Sequence, residues 1–405
     1  MRTLRIIFVW TLVSLLLQSG GYFFLNREVQ KVMTPVLKEP ITLDLTATIP
    51  GSDLQNIQLS YAKDYLAYTE NGTFKIFNLK KGKQVFEKKS PSTTDKTMGV
   101  CTYQWLPDRN TLVYFYAKKN PNEVTSVTVY PKATVKTPQI KNTEDPNQKI
   151  EKVIPVEPRI EKRYGNPQIT ELYSLELGDS DDETTLPDDR FNQSIDNLPR
   201  GGKIENLVFS TSSNMIYLTV KNESTQLLMQ IDVMKDVETL NKSGEAIDNI
   251  AASDRYGTVY IDSKVGKTSQ VVALDGTERR TISKNSDDTI LGIRDGKVFI
   301  GEVINDELVK IKTTSDRSEL KSNPTLETEW EGSIPFKNTR MLISSKGQVI
   351  VYNNQTAYIV TTGQLEEIKL QGDENYVSLD GAELIELTQQ GTSTVVKLRA
   401  LKNKK

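Results

Sequence analysis

The chain has no histidine in 405 residues. Every Ser-His-Asp or Cys-His catalytic set supplied by the chain alone is thereby excluded. So are His-ligated zinc, iron and copper sites. Cysteine occurs once, at Cys101. No disulfide can form within the chain, which fits either a cytoplasmic protein or the outer face of a bacterium that uses few disulfides. Cys101 sits in an apolar run with Val100 and Tyr103, so a buried free thiol is expected rather than a nucleophile. An excess of either charge is missing too. With 51 basic and 53 acidic residues, the formal net charge is −2. A general nucleic-acid binder wants a basic face, and none is indicated. Locally mixed charge reads as a solvated surface. There is no phosphate-binding glycine loop and no Gly-x-Ser-x-Gly elbow.

Long apolar runs are scarce, and the one present is N-terminal. Arg2 and Arg5 precede an apolar stretch from Ile6 to Leu25, broken by Thr11, Ser14 and Gln18-Ser19-Gly20-Gly21. About 20 residues of helix span about 30 Å, one hydrocarbon core. Residues 1–31 therefore read as a membrane anchor. The flanking arginines keep that end cytoplasmic, so the remainder is expected outside the cytoplasm. The rival reading is a cleaved signal peptide with Ile6 to Leu17 as its apolar region and Ser19-Gly20-Gly21 as its cleavage site, which would release the rest. Tyr22-Phe23-Phe24-Leu25 continues the apolar run past that site and favours the anchor. Residues 32–40 are a spacer, in which Val32, Met33, Val36 and Leu37 extend a helical spacing until Pro35 or Pro40 stops it.

From Ile41 the apolar period becomes two, the period of strands. Short strands then recur in groups of four with tight-turn signals between them. The first group holds Ile57-Gln58-Leu59, Tyr65-Leu66-Ala67-Tyr68, Phe74 to Leu79 and Gln84-Val85-Phe86, with turns at Asn71-Gly72 and Lys81-Gly82. Such a meander is the shape of one propeller blade. Further groups start near 100, 207, 250, 290, 341 and 376. Most separations are near the roughly 40–50 residues of a blade. The expected fold is therefore all-β: a seven-bladed propeller over residues 41–401, six or eight being the neighbouring counts, after an N-terminal transmembrane helix. The seventh group has only three strands. The orphan strand Ile41 to Thr48 supplies its fourth, which closes the ring and removes two open edges.

One separation is a blade plus an insertion. The inserted arm, residues 117–166, is rich in Pro, Lys and Glu and cannot pack alone, although Val124 to Tyr130 alternates like a strand. A second excursion, residues 178–202, carries the acidic run Asp179-Ser180-Asp181-Asp182-Glu183. Clustered carboxylates suit calcium, but the run lacks the glycine and final glutamate of an EF-hand loop, so a solvated loop is expected. Trp105 and Trp330 suit the inter-blade core better than sugar stacking. No catalytic, cofactor or metal residue is assigned, and no pair of carboxylates stands out for glycoside chemistry.

Trp105-Leu106-Pro107-Asp108, followed by Leu112-Val113-Tyr114, resembles the blade unit of TolB-like and WD-repeat-like propellers. Leu59 to Tyr68 resembles a degenerate copy with Ala62-Lys63-Asp64 in place of the Pro-Asp turn, and Ser210 to Tyr217 and Ser253 to Tyr260 are weaker copies. The Trp-Asp dipeptide of eukaryotic WD repeats is absent. The resemblance implies the fold. It also touches the propellers of prolyl-oligopeptidase-like peptidases, but no hydrolase domain follows this ring.

These readings point to a non-enzymatic extracytoplasmic scaffold, held to the membrane by residues 6–25 and binding an envelope protein through the 117–166 arm. The alternatives are a carboxylate-based carbohydrate-active enzyme and a sensor of cell-wall ligands. The enzyme requires a central pocket lined by several Asp or Glu, one with a raised pKa. The sensor is handicapped by a cytoplasmic end as short as Met1 to Arg5.

Overall fold

The computed structural model describes residues 10–11, 14–15, 17–22, 25, 41–129, 158–178, 186–196, 198–199, 201–222, 226–316 and 324–401. These residues form seven four-stranded antiparallel sheets and one two-stranded hairpin. Six sheets use four strands in chain order or nearly so. Blade 1, for example, is built from Gln55–Leu59, Tyr65–Glu70, Thr73–Asn78 and Lys83–Lys88. Blades 2 to 7 begin at the strands Gly99–Trp105, Lys203–Ser210, Glu245–Ala252, Asp288–Arg294, Arg340–Ile343 and Glu374–Val377. The first strands of blades 1 to 6 touch one another in succession, so the first strand of each blade is the inner one.

The middle strands read as unbroken apolar runs because both of their faces are buried. In Tyr65–Glu70, Leu66 and Tyr68 face the cluster shared with blade 7, while Tyr65 and Ala67 face the cluster shared with blade 2. Period-two alternation here distributes side chains between two neighbouring interfaces, not between core and water. The same logic gives a hydrophobic cluster at each of the seven junctions around the ring. Trp105 is fully buried between blades 1 and 2, its Nε1 donating to the Gln58 carbonyl at 3.3 Å. Trp330 packs between blades 5 and 6. Both tryptophans are core residues.

The ring closes as the orphan strand implied. Leu45–Pro50 is the outer strand of blade 7, antiparallel to Ser393–Ala400, with Leu45 opposite Leu398 and Ala47 opposite Val396. The strand starts later than Ile41 and runs on past Thr48. Its register is set by Ala47 and Ile49, which enter the cluster between blades 7 and 1. Residues 41–44 lie beyond the ladder, and the Leu43 N–H donates instead to Glu383 Oε1 at 2.6 Å.

Blade 2 departs from the simple meander. Its strands are Gly99–Trp105, Thr111–Lys119, Gln168–Glu176 and Asp188–Ile195. Between the second and third lies a hairpin of Val124–Val129 with Arg159–Tyr164. The excursion at 178–202, expected as a loop, thus holds the blade's outer strand. Its apolar content is low because one face is solvated, and its charges are paired: Asp189 with Lys88 at 2.9 Å and Asp188 with Arg190. The acidic run 179–183 lies outside the described residues, as does the arm tip at 130–157.

The described residues between 10 and 25 are helical, and Trp10, Leu15, Leu17, Tyr22 and Leu25 are solvent-exposed. Among the described residues no helix is long and apolar enough to cross a membrane. The spanning helix expected at Ile6 to Leu25 is therefore not shown. Much of residues 1–31, and all of the 32–40 spacer, lies outside the described residues.

Candidate functional site

Strand direction fixes which loops share a face. Every inner strand begins on one face of the ring and ends on the other. The starts of the inner strands share their face with the turns between second and third strands. The hairpin of blade 2 is such a connection, so this is the arm face. The opposite turn face carries Leu106 to Asn110 and its counterparts in the other blades. Leu45–Pro50, as an outer strand, begins at the turn face. The chain thus joins the ring on the side away from the arm.

The turn face is tied together by contacts between successive blades. Asn110 accepts from the Ala62 N–H at 3.0 Å and donates to Asp64 at 3.2 Å. It braces the turn of the neighbouring blade. Asp108 bonds Arg109 instead. Farther round, Ser210 donates to the Tyr256 carbonyl, Arg255 pairs with Asp295, and the Ser345 N–H donates to the Asp380 carbonyl. The buried Lys63 ammonium meets Asp380 at 2.9 Å and joins blade 1 to blade 7.

The arm face is less regular. The inner strands of blades 1 to 5 each carry a bulge, at Asn56-Ile57, Cys101, Glu205, Asp248-Asn249 and Leu291. A bulge turns a side chain out of the pleat. Asn56, Cys101, Glu205 and Asp248 from four successive blades all line one cavity of about 680 Å³. Its wall is polar, completed by Gln58, Thr69, Lys203, Asn206 and Lys221. Inner-strand amides hold its shape: Gln58 donates to the Tyr103 carbonyl at 2.8 Å, and Asn206 to the Asp248 carbonyl at 3.1 Å. Lys203 and Lys221 are register partners, and Glu205 lies 3.9 Å from the Lys221 ammonium. Like charges placed opposite each other cost stability in a sheet. The wall therefore presents both signs of charge to solvent, close together.

Cys101 lies on this wall, half-buried, its Sγ donating to the Gly99 carbonyl at 3.7 Å. Burial pushes its pKa up to about 11, so the thiol stays protonated and is no nucleophile near neutral pH. Carboxylates with raised pKa do exist, but elsewhere. Asp262 is pushed up to about 6, mainly by burial; it sits between blades 4 and 5 and accepts from Thr289, the Ile290 N–H and Asn249. Burial likewise raises Asp316, which accepts from Ser253 and Tyr260. Glu383 is pushed up to about 7 at the ring seam. None of the three lines the cavity. Among the described residues no cluster of three or more metal-ligating side chains occurs.

The arm stands out in the sequence more plainly than the cavity. Its signal was nevertheless present. A polar residue followed by Asn and an apolar residue recurs at Gln55-Asn56-Ile57, Glu205-Asn206-Leu207, Asp248-Asn249-Ile250 and Glu374-Asn375-Tyr376. All four stand in inner strands, and three coincide with bulges.

No protein-family model matches the chain, and no curated protein matches it. Solved β-propellers do. The propeller domain of Myceliophteria thermophila Cps50 (Swd1) is similar at 10% identity and a TM-score of 0.49, over 87% of this chain and 99% of that one. TolB from Acinetobacter baumannii is similar at 8% identity and a TM-score of 0.38, over 85% and 79%. A luciferin-regenerating enzyme is similar at 8% identity and a TM-score of 0.39, over 89% and 96%. Similarity at this level concerns the fold.

Proposed function

We propose that this propeller is a protein-interaction scaffold that binds its partner on the arm face. The observation that carries the reading is the coincidence on one face of the hairpin and the bulge-lined cavity. Along one side of the hairpin, Val124 pairs with Tyr164 and Thr128 with Ile160. Ile160 is 73% exposed and Tyr164 76%. Aromatic and aliphatic side chains held out on a two-stranded ribbon are the stuff of interface anchors, and the ribbon's edges can take up a further strand. The cavity on the same face offers polar complementarity.

The finer reading places this scaffold outside the cytoplasm in a bacterial envelope assembly, tethered by residues 6–25. Support comes from the apolar run, the arginines before it and the exposed apolar side chains of its described helical residues. Because the chain joins the ring on the turn face, such a tether presents the arm face away from the bilayer.

The test is removal of residues 122–165, with a short Gly-Ser link between Pro121 and Asn166. Asn166 is retained because its side chain donates to the Leu198 carbonyl at 2.6 Å. The ring is expected to keep its unfolding midpoint, and co-purification of cross-linked envelope proteins is expected to fall at least tenfold. A folded ring with an unchanged partner set would discard the arm as the contact.

A further inference from the structure

A groove of about 310 Å³ lies on the turn face where blades 5 and 6 meet. Its floor is apolar: Phe299, Ile311, Val349 and Val360, all buried. Its rim holds two acids and three bases. Both acids are already neutralised. Glu329 accepts from Lys297 at 2.7 Å, Thr362 at 2.9 Å and Thr313 at 3.2 Å. Asp295 pairs with Arg255 at 2.5 Å.

That leaves Arg294 and Lys346. Among the described residues the Arg294 guanidinium makes one contact, from Nη2 to the Ile343 carbonyl at 3.4 Å, and has no ion pair, which leaves further N–H donors for an acceptor. Lys346 has no ion pair among the described residues. Arginine supplies a planar fork of donors and lysine a point charge, the pairing used for oxyanions. Two uncompensated positive charges match a phosphate, which carries one or two negative charges; a carboxylate would cancel only one of them.

We propose that this groove binds the phosphate of a phosphoester whose organic part rests on the apolar floor. Arg294 and Lys346 hold the phosphate oxygens, with Ser345 at the rim. The site does not depend on the scaffold reading, since it lies on the opposite face. Two sources supply this chemistry. A soluble phosphoester is one. A phospholipid headgroup is the other, because the chain joins the ring on this same face and a tether would turn the groove toward the bilayer.

The experiment uses the full chain and two probes. Glycerol 3-phosphate is titrated by calorimetry. Vesicles of phosphatidylglycerol, with phosphatidylcholine as reference, are tested by flotation. Each reading is taken as the difference between wild type and Arg294→Gln, so that any contribution of the N-terminal segment cancels. Saturable binding is expected in at least one arm, weakened at least tenfold by Arg294→Gln and several-fold by Lys346→Gln. Lys267→Gln, on an exposed turn of the arm face, is expected to leave it unchanged. Matching melting temperatures exclude misfolding as the cause. Loss confined to the vesicle arm assigns the lipid source, and loss in the soluble arm assigns a soluble phosphoester. Binding that survives Arg294→Gln, acetate competing as well as glycerol 3-phosphate, or no saturable binding in either arm overturns the proposal.

Discussion

Ile49→Asp is expected to unseal the ring. Ile49 is fully buried in the cluster that joins the last blade to the first. An aspartate there loses the apolar burial of a whole side chain and places a carboxylate among Leu54, Ile57 and Leu387, with no cation in that cluster to meet it. Burying an unpaired charge is among the few single changes that exceed about 4 kcal/mol. Urea unfolding followed by tryptophan fluorescence checks this. Thr48→Asp, one position earlier on the exposed side of the same strand, is the control and should stay within about 0.5 kcal/mol of wild type. The contrast between adjacent residues separates loss of the seam from any general intolerance of charge in this strand. Equal effects at both positions would mean that the strand is not seated as described.

The second large effect concerns pH. Glu383 is completely buried, with Oε1 taking the Leu43 N–H at 2.6 Å and Oε2 lacking any partner among the described residues. Burial is the main cause that pushes its pKa from 4.5 to about 7. The Leu43 N–H and Lys63 pull the value down, and Asp380 and Asp44 push it up. Asp380 itself, though raised by burial, is held below its usual value by Lys63 and Ser378. A carboxyl whose folded pKa exceeds its unfolded one binds its proton more tightly in the native state. Its contribution to stability is complete below about pH 4.5, falls as pH rises, and is gone above about pH 7. Across that window the loss is about 3 kcal/mol. Glu383→Gln keeps an acceptor for Leu43 and replaces the orphaned oxygen by an amide that does not titrate. The variant is expected to be less pH-sensitive between pH 5 and 8, and more stable than wild type at pH 8 by on the order of 1–3 kcal/mol. Asp262 and Asp316 give slopes of the same sign, so the informative quantity is the difference between variant and wild type. Parallel stability curves would show that Glu383 does not carry the proton.

Much of the ring was legible because its local signals agree with one another. Asn71-Gly72 turns where its sequence places it, and Asn71 adopts a positive φ of 50°. The closing strand could be inferred from a deficit of one strand at the far end of the chain. Its register could not, because that depends on Ala47 and Ile49 meeting residues some 350 positions away. The outer strand Asp188–Ile195 was hidden by composition: an edge exposed on one side can be charged throughout, and its order comes from pairing with Gln168–Glu176. The arm-face cavity was hidden for a different reason. It is made by bulges, and a bulge breaks the alternation by which strands are recognised. The groove on the turn face draws its residues from two blades, and only the assembled ring reveals that two of its cations have no ion pair among the described residues.

The seating of the N-terminal strand closes the ring and decides on which face the chain joins it. Thr46 and Lys397 are register partners on the exposed side of that seam. In a Cys101→Ser background, Thr46→Cys with Lys397→Cys should oxidise to an intramolecular disulfide, identified by mass spectrometry of the linked peptides, while Thr48→Cys with Lys397→Cys should oxidise far more slowly. Thiols that stay free in the first pair, or that cross-link only between molecules, would contradict it.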